Sequence, residues 1–134
     1  MKESNIRNKS FAFAVRIVKL FQYLSAEKRE FVLSKQLLRS GTSVGAMVRE
    51  AEHAESKADF VHKLAIAQKE INETIYWLEL LTTTDYLTKE EFENINNDAI
   101  EIIKIITTII KNTKQNLNKI TANNFPFSIL NFQL

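Results

Sequence analysis

Apolar residues recur every three or four positions along most of the chain, which is the spacing of one face of an α-helix. The pattern predicts four helices, at about residues 10–24, 26–54, 57–82 and 89–116. The predicted connections are only a few residues long, so consecutive helices should run antiparallel. The sequence therefore predicts an all-α fold, an up-down-up-down four-helix bundle that forms one domain over residues 1–134.

Polar residues stand at the predicted helix starts. Ser10, Ser25 and Ser56 are candidate N-caps of the first three helices, because a serine oxygen can accept a hydrogen bond from the free N–H groups of the first turn. Thr88 and Glu91 have the Thr-x-x-Glu spacing of a capping box at the start of the fourth helix.

The first and fourth helices have distinct apolar patterns. In the first helix the stripe predicted to face the core is Ala14, Ile17, Val18, Phe21 and Leu24, with Phe13 and Leu20 widening it. The fourth is rich in isoleucine, which also favours strands. Its Ile-Ile pairs begin at positions 102, 105 and 109, which fits helical spacing better than strict alternation, so a helix is predicted.

The chain has only two glycines, Gly41 and Gly45, and they lie one helical turn apart in the second helix. Glycine within a helix costs about 0.5–1 kcal/mol relative to alanine, so a pair at this spacing indicates close packing against another backbone. The alternative is a kink or a helix break at Gly41.

Two apolar regions lie outside the predicted core. One is a second strip on the third helix, formed by Ile66, Trp77, Leu80 and Leu81. The other is the C-terminal tail, residues 117–134, an apolar arm that is uncharged from Thr121 onward and includes Phe125 and Phe127. A monomer would leave the strip in water, and the tail is expected to dock on its own bundle or on a neighbour, so a homo-oligomer is predicted with Trp77 as an interface anchor. The alternative is that Trp77 packs under the tail of its own subunit.

Charge is segregated along the chain although the formal net charge is only +2. Residues 1–49 carry ten basic and three acidic side chains, residues 50–101 carry four and thirteen, and the remainder carries four and none. Such segregation can steer a charged partner, but it also lets helices of opposite sign pack together, and the second interpretation is preferred.

No pattern in the chain indicates catalysis. Cysteine is absent, which excludes disulfides and thiolate sites. Glu50 and His53 are three positions apart, as are Asp59 and His62. This spacing resembles that of di-iron bundles, but such a site also needs carboxylates from the other two helices, and the predicted first helix has none. We therefore expect no metal, no cofactor and no small-molecule substrate, and an enzyme is the least favoured class.

A membrane location is not expected either. The amino terminus lacks the apolar core of a signal peptide, and Glu101 and Lys104 interrupt the isoleucine-rich run. The cytoplasm is the expected compartment.

Five residues on the outer faces of the first and fourth helices are candidates for nucleic-acid binding: Arg16, Lys19, Tyr23, Lys104 and Lys111. These two helices are neighbours in an up-down-up-down bundle, so the cations can form one strip that holds phosphates, while the tyrosine stacks on an unpaired base. The alternative is that the lysines form an ordinary solvated face.

Four features occur in order in the central segment, SKQLLRSGTSVGAMVREAEHAESKADFVHKLAIAQKEINETIYWLELL: the small-residue block, an Arg-Glu-Ala step, an Asp-Phe pair and a Tyr-Trp-Leu-Glu run. They resemble the signature of the four-helix-bundle family encoded in intervening sequences of bacterial 23S ribosomal RNA genes, and the resemblance spans about residues 11–114. Many relatives carry Asn after Gly-Ala, where this chain has Met47.

The resemblance implies a homopentamer, and relatives include the accessory protein of diversity-generating retroelements, which binds a reverse transcriptase and nucleic acid. Two functions stay open. One is a non-catalytic homo-oligomeric adaptor that binds RNA, DNA or a nucleic-acid enzyme such as a reverse transcriptase through a basic outer surface. The other is an oligomeric protein-interaction scaffold with no nucleic-acid role.

Overall fold

The computed structural model describes the backbone of residues 2–124 and the side chains of residues 5–118. It contains four α-helices, α1 (Lys2–Ala26), α2 (Leu33–Ala51), α3 (Lys57–Thr83) and α4 (Lys89–Asn124). The predicted all-α fold is confirmed. No helix within the described range combines the length and the apolar character that crossing a membrane requires.

Each helix packs against its neighbours in sequence, and α1 packs against α4 to close the bundle. Ion pairs show the relative directions of the helices: Lys9 Nζ lies 3.0 Å from Glu101 Oε1, and Arg16 Nη1, further along α1, lies 2.6 Å from Asp98 Oδ2. Residue numbers therefore increase along α1 in the direction in which they decrease along α4, so the two helices are antiparallel. Ion pairs between α2 and α3 show the same reversal, Glu50 with Lys63 and Arg39 with Glu70 and Glu73. The helices form an up-down-up-down bundle.

The core runs the length of the bundle between the four helices. Its fully buried large side chains include Phe13, Ile17 and Leu24 of α1, Leu37 and Val44 of α2, Leu64, Ile71 and Leu78 of α3, and Ile102 and Ile106 of α4. In α1 the buried face differs from the predicted stripe. Phe13 lies at its centre, whereas Val18 is 36% exposed.

The two glycines lie where α2 passes closest to α1. A Cβ atom at Gly41 would lie 2.7 Å from Cγ1 of Ile17, whose side chain is fully buried, and one at Gly45 would lie 3.3 Å from the carbonyl oxygen of Ser10. α2 continues through both glycines, so the alternative of a helix break at Gly41 is wrong. The small residues allow the helices to approach at these two points.

Two predicted N-caps are wrong. α1 already begins at Lys2, and Ser10 lies buried in its third turn, where its hydroxyl donates to the carbonyl oxygen of Arg7 at 3.2 Å. Ser25 belongs to the last turn of α1, and α2 begins at Leu33 rather than at residue 26. The boundary between α1 and α2 was mispredicted because a serine that caps a helix cannot be told from a serine within a helix by sequence alone.

The segment between α1 and α2, residues 27–32, is organised by Glu30. Arg29 has a φ of 56°, in the left-handed region, and lets the chain reverse. The buried Glu30 carboxylate then accepts hydrogen bonds from the N–H groups of Val32, Leu33 and Ser34, at 3.1, 2.9 and 2.7 Å. Burial raises the pKa of Glu30, but the three N–H groups outweigh it and leave the pKa below its usual value. Glu30 therefore caps α2.

The caps of α3 and α4 agree with the sequence. Ser56 Oγ accepts from the N–H of Asp59 at 3.0 Å. Thr88 and Glu91 form a reciprocal capping box, with N–H to side-chain distances of 2.8 and 3.1 Å. At its other end α4 continues to Asn124, so the prediction that the tail begins at residue 117 is wrong; residues 125–134, including Phe125 and Phe127, lie outside the described range.

Gly41→Ala should destabilise the bundle by about 1–3 kcal/mol, because the new methyl group overlaps a fully buried Ile17 that has no room to move. Gly45→Ala is the matched control. Its methyl group meets a milder contact, and removing glycine from a helix returns about 0.5–1 kcal/mol, so its stability should stay near that of the wild type. Urea unfolding of both variants measures the difference; equal midpoints would show that α1 does not press on Gly41.

Glu30→Gln should lower the free energy of unfolding by about 1–2 kcal/mol at neutral pH, because an amide oxygen accepts fewer and weaker hydrogen bonds than a carboxylate. Since the folded pKa is lowered, the contribution of Glu30 is present above its unfolded pKa of about 4.3 and is lost as pH falls through the folded value. The difference between wild type and variant should shrink between pH 7 and pH 3. The exposed Glu27→Gln is the control, and a difference that does not depend on pH would contradict the capping role.

Candidate nucleic-acid interface

The structure separates the five residues of the predicted basic strip. Arg16 is held by Asp98 and by the side-chain oxygen of Asn94. Lys19 and Tyr23 line the same groove between α1 and α4, together with Glu90 and Glu91 of α4. Carboxylates on the opposite wall repel phosphate, so this groove is a poor binding surface for a nucleic-acid backbone.

The other two lysines lie further along α4. Lys104 lines a shallow groove beside Asn5 and Ile109, near the end of the bundle where α1 begins. At 1.5 Å per residue, Lys104 and Lys111 lie about 15 and 25 Å along the helix from Asn94. The structure therefore brings Arg16, Lys19 and Tyr23 together, but not with Lys104 and Lys111.

A different basic surface lies at the α1–α2 connection. Lys28, Arg29 and Lys35 are exposed, and none of them takes part in the ion pairs found among the described side chains. Phe31 and Val32, between them, are 50% and 72% exposed. We call these five residues the connection surface. Exposed cations around an exposed aromatic ring can hold phosphates and stack on a base.

The local fold explains why these side chains point outward. Glu30 turns inward to cap α2, so Phe31 and Val32, which follow it, are left on the outside of the turn. Glu27 is the exposed carboxylate of this segment, while that of Glu30 is buried against N–H groups. Within residues 27–35 three cations and one carboxylate are therefore exposed, so the net exposed charge is positive.

Sequence reasoning missed the connection surface because it continued the second helix back to residue 26. That assignment put the cations on an ordinary helix face. The run Phe31-Val32-Leu33 gave no clear signal of the boundary, because an apolar run of similar kind, residues 11–15, lies within α1.

The predicted oligomer-interface residues of α3 differ in how far they are buried within the subunit. Leu81 is fully buried in the subunit core, so its assignment to an outer strip is wrong. Ile66, Trp77 and Leu80 are half-buried, and Trp77 Nε1 donates to Glu73 Oε2 at 3.0 Å. The Trp77 indole, and after it Arg39, holds the pKa of Glu73 below its usual value. Their role in self-association stays a prediction.

A second apolar stripe of α1 lies partly on the surface, and of its residues only Val18 was predicted to face the core. Phe11, Val15 and Val18 are 56%, 39% and 36% exposed and share one outer face of α1 at positions i, i+4 and i+7. The stripe borders a groove between α1 and α2 that is lined by Ala14, Thr42, Gly45 and Ala46, with Arg49 above the ring of Phe11 at 5.3 Å. We call it the α1 stripe.

The two carboxylate–histidine pairs lie at the corner between α2 and α3. Glu50 is paired with Lys63 at 3.2 Å, and Asp59 Oδ2 accepts the N–H of Glu55 at 3.2 Å. His53 lines the same depression. Among the side chains described, no group of three or more histidine, aspartate or glutamate residues is arranged to hold a metal ion.

Comparison with known proteins agrees with this fold. The family model of the 23S rRNA-intervening sequence protein matches residues 2–108. A crystal structure from Bacteroides thetaiotaomicron VPI-5482, described as a protein of unknown function from the S23 ribosomal protein family, is 59% identical. The match covers 83% of this chain and 99% of that chain, with a TM-score of 0.82. No curated protein matches. The chain therefore belongs to the 23S rRNA-intervening sequence protein family.

Proposed function

We propose that this protein is a non-catalytic, self-associating adaptor in the cytoplasm that binds single-stranded RNA through the connection surface. The observation that carries the proposal is the group of exposed cations, Lys28, Arg29 and Lys35, around the exposed ring of Phe31. Single-stranded nucleic acid is commonly bound by this combination of backbone charge and aromatic stacking.

The connection surface suits RNA better than the strip between α1 and α4. In the strip, Arg16 is already paired with Asp98, and Glu90 and Glu91 face Lys19. A phosphate entering there must displace an ion pair and approach two carboxylates. At the connection surface the Glu30 carboxylate is occupied by N–H groups and Glu27 is the one exposed carboxylate of residues 27–35, so the three cations outnumber it and can release counterions when they contact phosphate.

Self-association is part of the proposal because one connection surface offers few contacts. Three cations and one ring give modest affinity, but several copies in one assembly bind the same strand with a much higher effective concentration. A ring of five subunits, which the family resemblance implies, presents five such surfaces on one face. A reverse transcriptase or another nucleic-acid enzyme is then a partner that the adaptor brings to the strand.

The second candidate function is an oligomeric protein-interaction scaffold without a nucleic-acid role. The observation that favours it is the α1 stripe, because exposed apolar residues that share one helix face are typical of protein interfaces. The two functions differ in salt dependence, since phosphate contacts release counterions and apolar contacts do not.

Lys28→Glu with Lys35→Glu should weaken binding to a single-stranded RNA at low salt by at least about tenfold and reduce the salt slope by about 0.7 per lost phosphate contact. Lys104→Glu with Lys111→Glu is the matched control, because it changes the net charge equally at a distant surface. Fluorescence anisotropy at 50 and 200 mM salt distinguishes the two. An equal loss of RNA affinity in both double variants would indicate a general effect of net charge rather than a site at the connection surface. If the wild type does not bind RNA at low salt, the scaffold function is favoured.

Phe31→Ala should weaken binding to single-stranded RNA by about 1–3 kcal/mol but leave duplex RNA binding nearly unchanged, because only unpaired bases stack on a side chain. Tyr76→Ala removes an aromatic ring of α3 that is 57% exposed, against 50% for Phe31, and serves as the control. Titration with a single strand and with the matching duplex measures both effects. If Phe31→Ala weakens the two equally, stacking is not its role.

A further inference from the structure

α4 continues well beyond the end of the bundle. Ile109 lines the cavity at this end together with Ile6 of α1, Ala51 of α2 and Phe60 of α3. From Ile109 the helix continues to Asn124, which is about 22 Å further at 1.5 Å per residue. We call residues 110–124 the α4 extension. The family model matches residues 2–108, so the extension lies outside the part of the chain that it covers.

The exposed side chains of the α4 extension are amides and lysines. Among residues 110–118, whose side chains the structure describes, the exposed ones are Lys111, Asn112, Lys114, Gln115, Asn116 and Asn118. None of these six side chains takes part in the hydrogen bonds or ion pairs found in the described part of the chain. No acidic residue follows Glu101 in the sequence. The extension therefore has cations and amides but no carboxylate of its own to neutralise them.

Three of these residues share one face of the helix. Lys111, Gln115 and Asn118 stand at positions i, i+4 and i+7, which is the spacing of a single face. Thr113 and Leu117 are half-buried and lie on the other side of the helix. The exposed face therefore presents two amides next to a cation, with Lys114 at its edge.

This face has the size and the chemistry to enter the major groove of duplex DNA. An α-helix with its side chains is about 10–12 Å across, and the groove is about 12 Å wide. Asn and Gln amides form paired hydrogen bonds with adenine in this groove, and lysines on a docked helix contact the phosphates that border it. The major groove of duplex RNA is deep and narrow, so a helix does not fit there.

We propose that the α4 extension binds duplex DNA in the major groove, with Gln115 and Asn118 on the base edges and Lys111 and Lys114 on the phosphates. This site goes beyond the proposed function and does not depend on it. The connection surface follows the end of α1, and α1 and α4 are antiparallel, so the two surfaces lie at opposite ends of the bundle.

Lys111→Glu with Lys114→Glu in the full-length chain tests the phosphate contacts. The double variant should bind duplex DNA at least about tenfold more weakly at about 50 mM salt, and its salt slope should fall by about 0.9 per lost contact. Both lysines are exposed and lie outside the core, so the bundle keeps its fold. Lys57→Glu with Lys69→Glu makes the same charge change at exposed positions of α3 and is the control. An equal loss in both double variants, or no DNA binding by the wild type, would overturn the proposal.

The amides are tested by the choice of duplex. The wild type should prefer an A·T-rich DNA duplex to a G·C-rich one by at least about fivefold, and DNA to the RNA duplex of the same sequence by at least about tenfold. Gln115→Ala with Asn118→Ala should abolish the A·T preference, whereas Asn97→Ala, at an exposed amide of α4 within the bundle, should keep it.

Equal affinity of the wild type for the DNA and RNA duplexes would overturn the groove contact, as would an A·T preference that survives in the double amide variant. Either result would leave the proposed function in place, because single-stranded RNA binding is measured separately with the variants of Lys28 and Lys35.

Discussion

The close approach of α1 and α2 at the two glycines fixes much of the remaining structure. Gly41 admits the fully buried Ile17, and Gly45 admits the backbone of Ser10, so the rotation of α1 about its own axis is set at two points. With Ile17 turned inward, Phe13 and Leu24 follow it into the core. The same rotation leaves the α1 stripe on the outside. Because helix side chains share faces at fixed intervals, one close contact decides which of two apolar faces on α1 is buried.

A second constraint shapes the bundle end that carries the connection surface. A buried carboxylate is costly unless its oxygens are hydrogen-bonded, and Glu30 meets that requirement by accepting three N–H groups at the start of α2. The cap pins the turn in one conformation. Phe31 cannot turn inward without breaking it. The Phe31 ring is therefore exposed because the Glu30 carboxylate is hydrogen-bonded at the start of α2. Its exposure does not require a binding partner.

The sequence predicts the features of this protein that depend on local patterns. Helical periodicity gives four helices, and the Thr88–Glu91 spacing gives the start of α4 to the residue. Prediction from sequence fails where a contact between residues far apart in the chain determines which face of a helix is buried. The α1 sequence has two apolar faces, Phe13 with Ile17 and Phe11 with Val15, and only packing on α2 selects between them. The α1–α2 boundary was missed because its cap comes from a glutamate that precedes the helix, a device outside the usual serine and threonine pattern.

The two candidate surfaces occupy different parts of the bundle, and this placement has a mechanical consequence. An adaptor that assembles from identical copies must leave its binding surface free when the copies meet. The α1 stripe lies on the side of the bundle, beside the groove between α1 and α2. The connection surface lies at one end, at the turn between α1 and α2. A contact between copies through the side would leave the cations at the end uncovered, and several copies would then offer one strand more than the three cations and one ring of a single chain.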